Sequence, residues 1–235
     1  GNPTVSSTWV WGVLEGQLYG YPSEYEACLV PSWGYPCSDD YFSKENSDSN
    51  LDPGIPTGRL SAKTPQDVTD YYNKVVAFEQ QVDSNSIYTI DNKEWQKLGM
   101  HFAGGATSGE QTTLKTFLDK YKATFENVGA YGGHIDTYLK NPTDPIDPVV
   151  FTEVNDKIRD GVGVITFFGH ASTAGFDQNI DNPDNWGNQD RYPVVLGLGC
   201  YAGDIHQPNT ESASEKFVIL PDQGAIAFLS TVKLG

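Results

Sequence analysis

The sequence predicts an α/β fold, a three-layer αβα sandwich in which helices cover both faces of a mostly parallel sheet. Short apolar runs typical of buried strands alternate with helical segments over residues 98–230. Two of these runs end at a glycine that precedes a chemically reactive residue, His170 in one case and Cys200 in the other. Alternation of strands and helices is typical of a parallel sheet covered on both faces.

Residues 1–62 are rich in loops and contain one predicted strand, at residues 9–14. The first predicted helix begins at Pro65. Thr64 is a suitable N-cap for this helix, and proline is favoured in the first turn. The stretch 81–95 that follows is polar, and we interpret it as a candidate joint between two subdomains.

Strands and helices alternate through the rest of the chain. Strands are predicted at residues 98–103, 162–168, 194–198 and 225–230, with a weaker, glycine-rich strand within 124–135. Helices are predicted at residues 110–121 with Ser108 as the cap, at 148–159 with Asp147 as the cap, and at 212–220. The signals for these helices are apolar residues at helical spacing and a capping residue before the first turn.

The composition argues against two classes of protein. The 235 residues carry a net charge of −16, whereas proteins that bind nucleic acids present a basic surface, so we expect no nucleic-acid partner. No run approaches about 18 apolar residues, so no membrane-spanning helix is predicted. Of the three cysteines, Cys28 and Cys37 are close enough in sequence for a loop disulfide, and three reduced thiols are the alternative.

His170 and Cys200 are the candidate catalytic residues. Groups that follow the carboxyl ends of parallel strands line the ligand crevice of an open sheet. If the two strands are neighbours, an imidazole and a thiol face one cleft, as a cysteine nucleophile and its base require. The alternatives are a surface or core histidine and a small buried cysteine. The glycines around both residues favour catalysis, because glycine lets the backbone approach a ligand closely.

The order of these residues, with Cys200 placed 30 positions after His170, resembles the clan of caspases, legumains and gingipains. Residues 169–172, Gly-His-Ala-Ser, are similar to the Gly-His-Gly-Ser motif of the gingipain family, peptidase family C25. Residues 198–204 are similar to its motif of a small residue, Ala, Cys, two variable residues, Gly and Asp. Further similar segments lie in family order at residues 38–42, 56–64, 77–79 and 224–231.

The resemblance implies a caspase-like fold and a cysteine endopeptidase, with Cys200 as the nucleophile and His170 as the base. It implies an oxyanion site made by the backbone N–H groups of Cys200 and Ala171. Ala171 replaces the family's glycine, and alanine keeps the N–H but resists a positive φ. Glu110 is the candidate for the carboxylate that approaches the histidine in the family, or for an acid of the substrate pocket. The alternative is a first-turn glutamate that the helix dipole favours.

Tyr201 and Gly203 are candidate residues of the substrate pocket, next to the nucleophile. The chemistry requires no cofactor, but the family often binds calcium, and a structural calcium ion is one expectation. Asp177, Asn179 and Asp181 have the alternating spacing of a calcium loop, without the complete pattern of an EF-hand. A polar surface loop is the alternative for these three residues.

The resemblance makes residues 1–80 the C-terminal part of a first gingipain-like subdomain, and residues 81–235 a catalytic caspase-like subdomain truncated at its C-terminal end. We therefore expect a fragment of a longer secreted or bacterial cell-surface protein, with adjoining domains and a peptide or protein substrate. Two alternative functions stay open. One is a non-catalytic or truncated binding module, and the other is a sortase-like transpeptidase that processes secreted proteins.

Overall fold

The computed structural model describes residues 39, 43, 55–83, 89–141, 148–178, 180, 182–205 and 210–234, with the backbone alone at 148–150. Contacts divide the chain into two compact units, Gly1–Ser61 with His206–Asn209, and Ala62–Ile205 with Thr210–Gly235. The second unit includes the helix that begins at Pro65, which the sequence analysis assigned to the first subdomain. The boundary between residues 80 and 81 stays a prediction. The strand at 9–14, the cysteines Cys28 and Cys37, and Asp147 lie outside the described residues.

In the first unit, an ion pair joins two of the segments that carry the family resemblance. Arg59 donates from Nε and Nη2 to the two carboxylate oxygens of Asp39, at 2.7 and 2.6 Å. Asp39 belongs to segment 38–42, and Arg59 belongs to segment 56–64. A bidentate contact between a guanidinium and a carboxylate fixes the orientation of both side chains. The two segments are therefore held together by charge.

The second unit is built on a five-stranded sheet in which every neighbouring pair of strands is parallel. Its strands, in the spatial order β2-β1-β3-β6-β7, are β1 (Leu98–Ala103), β2 (His134–Leu139), β3 (Val164–Phe168), β6 (Val194–Leu198) and β7 (Ala227–Ser230). A separate antiparallel hairpin is formed by β4 (Ala171–Ser172) and β5 (Gly175–Phe176). The α/β fold class with a mostly parallel sheet is thus confirmed.

Five α-helices accompany the sheet in the described part of the chain: α1 (Pro65–Val82), α2 (Ile90–Lys93), α3 (Ser108–Phe125), α4 (Pro148–Asp160) and α5 (Ala213–Ile219). Short 3₁₀ turns occur at Glu94–Lys97 and Pro183–Asn185. The predicted cap of α1 is present, since the Thr64 side chain accepts the Asp67 N–H and the Asp67 carboxylate accepts the Thr64 N–H. Among the described helices, none is long and apolar enough to cross a membrane.

Two local predictions are wrong. The cap of α3 is Thr107 rather than Ser108, and the Thr107 hydroxyl accepts the N–H of Glu110 at 3.2 Å. The weak strand predicted within 124–135 lies further along the chain, as β2 at His134–Leu139. The reason is that α3 continues to Phe125, after which the glycine-containing stretch forms turns and not a strand.

One face of the sheet packs against α4 and α5 and contains the apolar core. Register places Met100, Ile165 and Val195 in one row across three strands, and all three are buried. The core also includes Phe102, Phe167, Val154, Ile158, Phe217 and Trp186. Burying side chains of this size contributes about 1.5–3 kcal/mol each, so this face stabilises the sheet on which the strand ends depend.

The opposite face packs against α3 and is more polar. His101 and Thr166 are register partners on β1 and β3, and both are buried. Burial, together with the Lys122 charge on α3, lowers the pKa of His101 to about 4, so this imidazole is neutral near pH 7. His101 is thus a neutral residue of the sheet interior, away from the strand ends.

The strand order places a topological switch between β1 and β3. The chain passes from β1 outward to β2 and then returns to β3 on the other side of β1. Ligands of open α/β sheets bind outside the carboxyl ends of the strands at such a point. The segments that follow β1 and β3 therefore border the expected crevice, and they carry Glu110, in the first turn of α3, and His170.

Candidate active site

His170 and Cys200 follow neighbouring strands at equivalent positions. Phe168 on β3 pairs in register with Leu198 on β6, and each candidate lies two residues beyond its strand end. The pairing extends one residue past β3, because the Gly169 N–H donates to the Leu198 carbonyl at 3.3 Å. Parallel strands end at the same edge of a sheet, so the structure brings both residues to one edge. Cys200 is unpaired and half-buried.

Glu110 contacts the imidazole of His170. Its Oε1 lies 2.8 Å from Nε2 of His170, and the two side chains are 35% and 57% exposed. Its second oxygen, Oε2, accepts the Ala106 N–H at 2.7 Å. That backbone hydrogen bond, together with the adjacent imidazole, holds the pKa of Glu110 below its usual value. A first-turn glutamate of α3 is therefore also the carboxylate partner of the histidine.

The Glu110 contact determines which nitrogen of His170 is available for chemistry. A neutral imidazole has one nitrogen that donates and one that accepts. A carboxylate only accepts, so the contact places the donated proton on Nε2. Nδ1 is then the basic nitrogen. Most of the ring is exposed, so a substrate can reach it.

Asp177 ties together the loops that follow three strands. Its Oδ2 accepts the Gly105 N–H at 2.9 Å and pairs with the Lys140 ammonium at 3.4 Å. Its own N–H donates to the His170 carbonyl at 2.8 Å. Gly105 follows β1, Lys140 follows β2, and His170 follows β3. Asp177 therefore links the loop before α3, the helix that carries Glu110, to the histidine that precedes the β4–β5 hairpin.

Close contacts of the backbone explain why glycines surround the site. A Cβ on Gly104 would lie 2.2 Å from Oδ1 of Asp177, and one on Gly169 would lie 2.8 Å from the same oxygen. A Cβ on Gly199, before the cysteine, would lie 2.7 Å from the Cβ of Ala171. All three distances are shorter than real Cβ contacts. The strand ends can therefore approach each other only because these positions lack side chains.

Ala171 adopts a backbone conformation that suits alanine. It lies in β4, and it is not among the non-glycine residues with positive φ in the described part of the chain, which are Asp190, Tyr201 and Asp222. Ala171 is opposite Phe176 in the hairpin, and the bond from Asp177 N–H to the His170 carbonyl marks this as a non-hydrogen-bonded pair. The Ala171 N–H therefore points away from β5 and is not used by the hairpin.

The turn that contains Cys200 is held by the segment that follows β7. The Tyr201 N–H donates to the Lys233 carbonyl at 3.0 Å, and the Gly203 N–H donates to the Thr231 carbonyl at 2.9 Å. Tyr201 has a φ of 57°, in the left-handed region that non-glycine residues seldom adopt. These contacts fix the backbone on the C-terminal side of the cysteine. The pocket roles of Tyr201 and Gly203 stay predictions.

An open groove with a volume of about 420 Å³ runs beside the histidine. Its walls are the β4–β5 hairpin and its flanks, namely His170, Ala171, Ser172, Ala174, Gly175, Phe176 and Asp177. The hairpin is anchored in the core, since the Phe176 ring lies 4.3 Å from the Phe167 ring, centroid to centroid. The groove wall therefore consists largely of small residues, and Phe176 packs the hairpin against the apolar core.

The structure does not test the predicted calcium site. Asn179 and Asp181 lie outside the described residues, and the Asp177 carboxylate is engaged by Gly105 and Lys140. Within the described ranges, no group of three or more His, Cys, Asp or Glu side chains could hold a metal ion. A structural calcium ion bound through Asp177, Asn179 and Asp181 stays a prediction.

Sequence reasoning did not identify two residues that the structure brings to the site. Lys140 directly follows the end of β2. The rule that groups after strand ends line the crevice could have identified this residue. Thr231 reaches the cysteine turn from the segment after β7. Thr231 is the last residue of the family-like segment 224–231, but that resemblance does not indicate the contact of its hydroxyl, which depends on tertiary structure.

Comparison with solved structures gives the same fold. Gingipain R, described as an Arg-specific cysteine proteinase (RgpB), superposes with a TM-score of 0.60 at 13% identity over 84% of this chain and 44% of that chain. A complex of the pro- and mature domains of Porphyromonas gingivalis RgpB gives 0.58 at 14% identity, over 84% and 45%. A structure described only as a protease gives 0.62 at 19% identity, over 85% and 41%. The chain spans less than half the length of these structures.

No curated protein matches the chain in sequence. The sequence model of peptidase family C25, in contrast, matches residues 14–235. This match covers all of the second unit and most of the first, and it includes His170 and Cys200. The gingipain-like fold and the family model agree, and the chain belongs to peptidase family C25.

Proposed function

We propose that the protein is a cysteine endopeptidase in which Cys200 attacks peptide carbonyls and His170 transfers the protons. The observation that carries this proposal is the arrangement at one sheet edge: Glu110 contacts His170, and Cys200 follows the neighbouring strand at the matching position. A nucleophile, a base and a group that orients the base form the general pattern of nucleophilic catalysis. Membership of a peptidase family supports the same chemistry.

In the first half of the reaction, Nδ1 of His170 takes the proton of the Cys200 thiol. The thiolate attacks the substrate carbonyl carbon, a C–S bond forms, and the carbonyl electrons move to oxygen. The oxyanion then collapses, the C–N bond breaks, and the imidazolium gives its proton to the leaving amine. Glu110 stabilises the imidazolium through Nε2 and keeps the ring in the required orientation.

In the second half, water attacks the thioester while His170 takes one of its protons. The C–S bond then breaks, and the proton returns to the Cys200 sulfur. The N–H groups of Cys200 and Ala171 receive the oxyanion in both halves. Both N–H groups fit this role, since the hairpin does not use that of Ala171 and the described residues offer no partner to that of Cys200. Loss of one such donor costs about 100- to 1,000-fold in kcat in other enzymes.

The substrate is a peptide or protein that lies in the groove along the β4–β5 hairpin. The net charge of −16 favours peptides with basic residues through long-range attraction. A secreted or bacterial cell-surface location, as the resemblance implies, is part of this proposal. Detection of the mature protein outside the cytoplasm, by fractionation of the source cells, tests the location.

Peptide-library cleavage tests the activity. The chain, and any longer natural chain that contains it, are compared as wild type, Cys200→Ala and His170→Ala. His134→Ala is the control, because His134 also contacts carboxylates, those of Glu126 and Asp136. We expect cleavage that both site variants abolish and the control retains. No cleavage by any of these wild-type chains would reject the peptidase and favour a binding module, whereas products joined to an added amine would indicate a transpeptidase.

Selective labelling gives a second measurement. The Cys200 thiol is expected to react with iodoacetamide faster than those of Cys28 and Cys37, since it follows a strand end beside an imidazole. The rate should fall in the His170→Ala variant and stay unchanged in His134→Ala. Labelling at Cys200 that is slower than at the other two cysteines would argue against a nucleophile.

A further inference from the structure

The side chain of Thr231 contacts the turn that contains Cys200. Thr231 directly follows β7, and its Oγ1 lies 2.7 Å from the Gly199 carbonyl oxygen and 3.0 Å from that of Lys233. A hydroxyl carries one hydrogen and therefore donates one hydrogen bond at a time. The Gly199 contact is the shorter, and the Lys233 carbonyl already accepts the Tyr201 N–H. Thr231 therefore holds the Gly199 carbonyl.

The Gly199 carbonyl belongs to the same peptide group as the Cys200 N–H. A trans peptide is planar, so its C=O and N–H bonds point in opposite directions. A hydrogen bond that fixes the carbonyl therefore fixes the direction of the N–H. Gly199 cannot restrict this peptide with a side chain of its own, because a Cβ there would lie 2.7 Å from the Cβ of Ala171.

Two N–H groups that follow the cysteine in this turn donate to the segment after β7. Those of Tyr201 and Gly203 donate to the Lys233 and Thr231 carbonyls at 3.0 and 2.9 Å. The Cys200 N–H, in contrast, has no hydrogen-bond partner among the residues that the structure describes. The segment after β7 thus binds the turn on both sides of the cysteine peptide, and none of its contacts with the turn uses the Cys200 N–H within the described residues.

We propose that Thr231 is a positioning residue, which aims the Cys200 N–H at the oxyanion by hydrogen bonding to the carbonyl of the same peptide group. This inference rests on the proposed peptidase function and adds a residue to it. A donor that is already aimed needs no reorientation when charge develops, so the effect belongs to the transition state. Loss of the hydroxyl should therefore lower kcat more than it changes KM.

The kinetic test compares Thr231→Val, which keeps the side-chain shape without the hydroxyl, and Thr231→Ser, which restores the hydroxyl. We expect a fall in kcat for peptide cleavage of about 10- to 100-fold in the valine variant, with KM within about threefold of the wild type. The serine variant should recover most of this loss. Ser230→Ala is the matched control, since the Ser230 hydroxyl donates to the Gly197 carbonyl inside the sheet, at 2.8 Å.

Alkylation distinguishes positioning of the oxyanion donor from a structural role. Iodoacetamide reacts at carbon by displacement of iodide and forms no oxyanion. Its rate with Cys200 should therefore stay within about twofold of the wild-type rate in Thr231→Val. Equal losses in kcat and in the alkylation rate would show that the turn itself has moved, and unchanged kcat would show that the hydroxyl is dispensable. Either result would overturn the proposal.

A spectroscopic measurement tests the hydrogen bond without any catalysis. The dipeptide Gly-Cys occurs once in the sequence, at Gly199 and Cys200. Labelling with carbonyl-¹³C glycine and ¹⁵N cysteine therefore gives a single HNCO resonance from this peptide. We expect its carbonyl shift to change in Thr231→Val and to stay near the wild-type value in Thr231→Ser. An unmoved resonance overturns the proposal, whereas a moved resonance in a protein that cleaves no peptide shows that the peptidase function is what failed.

Discussion

Glu110 lies in the first turn of α3 and also contacts His170, the proposed catalytic base. One carboxylate oxygen accepts the Ala106 N–H, and the other faces Nε2 of His170. Glu110→Gln keeps the size of the side chain but removes the charge that stabilises the imidazolium. We expect kcat/KM for peptide cleavage to fall about 10- to 100-fold, since hydrogen bonds to charged groups are stronger than neutral ones.

Glu126→Gln is the control for this change. Glu126 also contacts a histidine, His134, at 3.3 Å, and likewise accepts a backbone N–H, that of Ile135. The Glu126→Gln variant should leave the kcat/KM for peptide cleavage unchanged. Wild-type kcat/KM in Glu110→Gln would mean that the carboxylate only caps the helix.

The lowered pKa of Glu110 determines the pH range over which its contact with His170 persists. Because the folded protein lowers this pKa, the carboxylate stays charged, and keeps its contact with His170, until the pH falls below the usual range for glutamate. The contact is lost as the pH falls through the lowered value. Protonation of Glu110 is therefore not expected to limit cleavage near neutral pH.

At the scale of elements, Asn188 joins the loop before β6 to the turn before β7. Its side-chain amide donates to the carbonyls of Arg191 and Gly224 at 3.1 and 2.9 Å and accepts the Gly224 N–H at 2.9 Å. Asn188 is fully buried. Asn188→Ala leaves these groups unpaired, so we expect the free energy of unfolding to fall by about 2–4 kcal/mol in urea titrations.

The matched variant is Asn185→Ala, in the preceding 3₁₀ turn, where the side chain is exposed. It should change the free energy of unfolding by less than about 0.5 kcal/mol. Equal effects of the two variants would mean that the buried amide does not join these loops.

Lys74 connects α1 to the end of α5. Its ammonium donates to the carbonyls of Val218 and Ala225 at 3.0 and 3.2 Å and lies 5.2 Å from the centre of the Tyr192 ring. Burial lowers the pKa of Lys74 to about 7. Between about pH 7 and pH 10 the unfolded chain therefore binds a proton that the folded chain does not, and this lysine's contribution to stability rises with pH.

We expect urea titrations of wild type and Lys74→Met to show this dependence. The difference in their free energies of unfolding should shift in favour of the wild type by about 2 kcal/mol between about pH 7 and pH 9. Lys115→Met is the control, because Lys115 pairs with Asp119 on the surface of α3. A pH-independent difference for Lys74→Met would contradict burial of the ammonium.

The elements differ in how far the sequence alone defines them. β1 and β6 have the predicted bounds because their apolar runs stop at glycines. β2 was placed too early, since this edge strand is half-polar and the glycines before it form turns. Within the candidate site, strand-end position predicted His170 and Cys200, and the family resemblance made Glu110 a candidate partner of the histidine, with a plain helix-start glutamate as the alternative. The contact of Thr231 with Gly199 required the register of the sheet, which no local pattern contains.

At the scale of the whole molecule, the net charge of −16 should influence the choice of substrate. Long-range attraction speeds the encounter with cationic peptides, and salt screens it within about 8–10 Å near physiological ionic strength. We expect kcat/KM for a lysine-flanked peptide to fall as sodium chloride is raised. For a glutamate-flanked peptide of the same core sequence, kcat/KM should rise. Parallel responses of the two peptides would exclude electrostatic attraction.

Asp177 joins the loops after β1, β2 and β3, because its carboxylate binds Gly105 and Lys140 and its main-chain N–H donates to the His170 carbonyl. Three loops that share one anchor form one cooperative unit, in which local opening of any member releases the others. The amide hydrogens of Gly105 and Asp177 would then exchange with solvent through a common opening event. His170 and Glu110 are borne by the segments that Asp177 holds, so we expect exchange of these two amide hydrogens to report how firmly the contact between the two side chains is maintained.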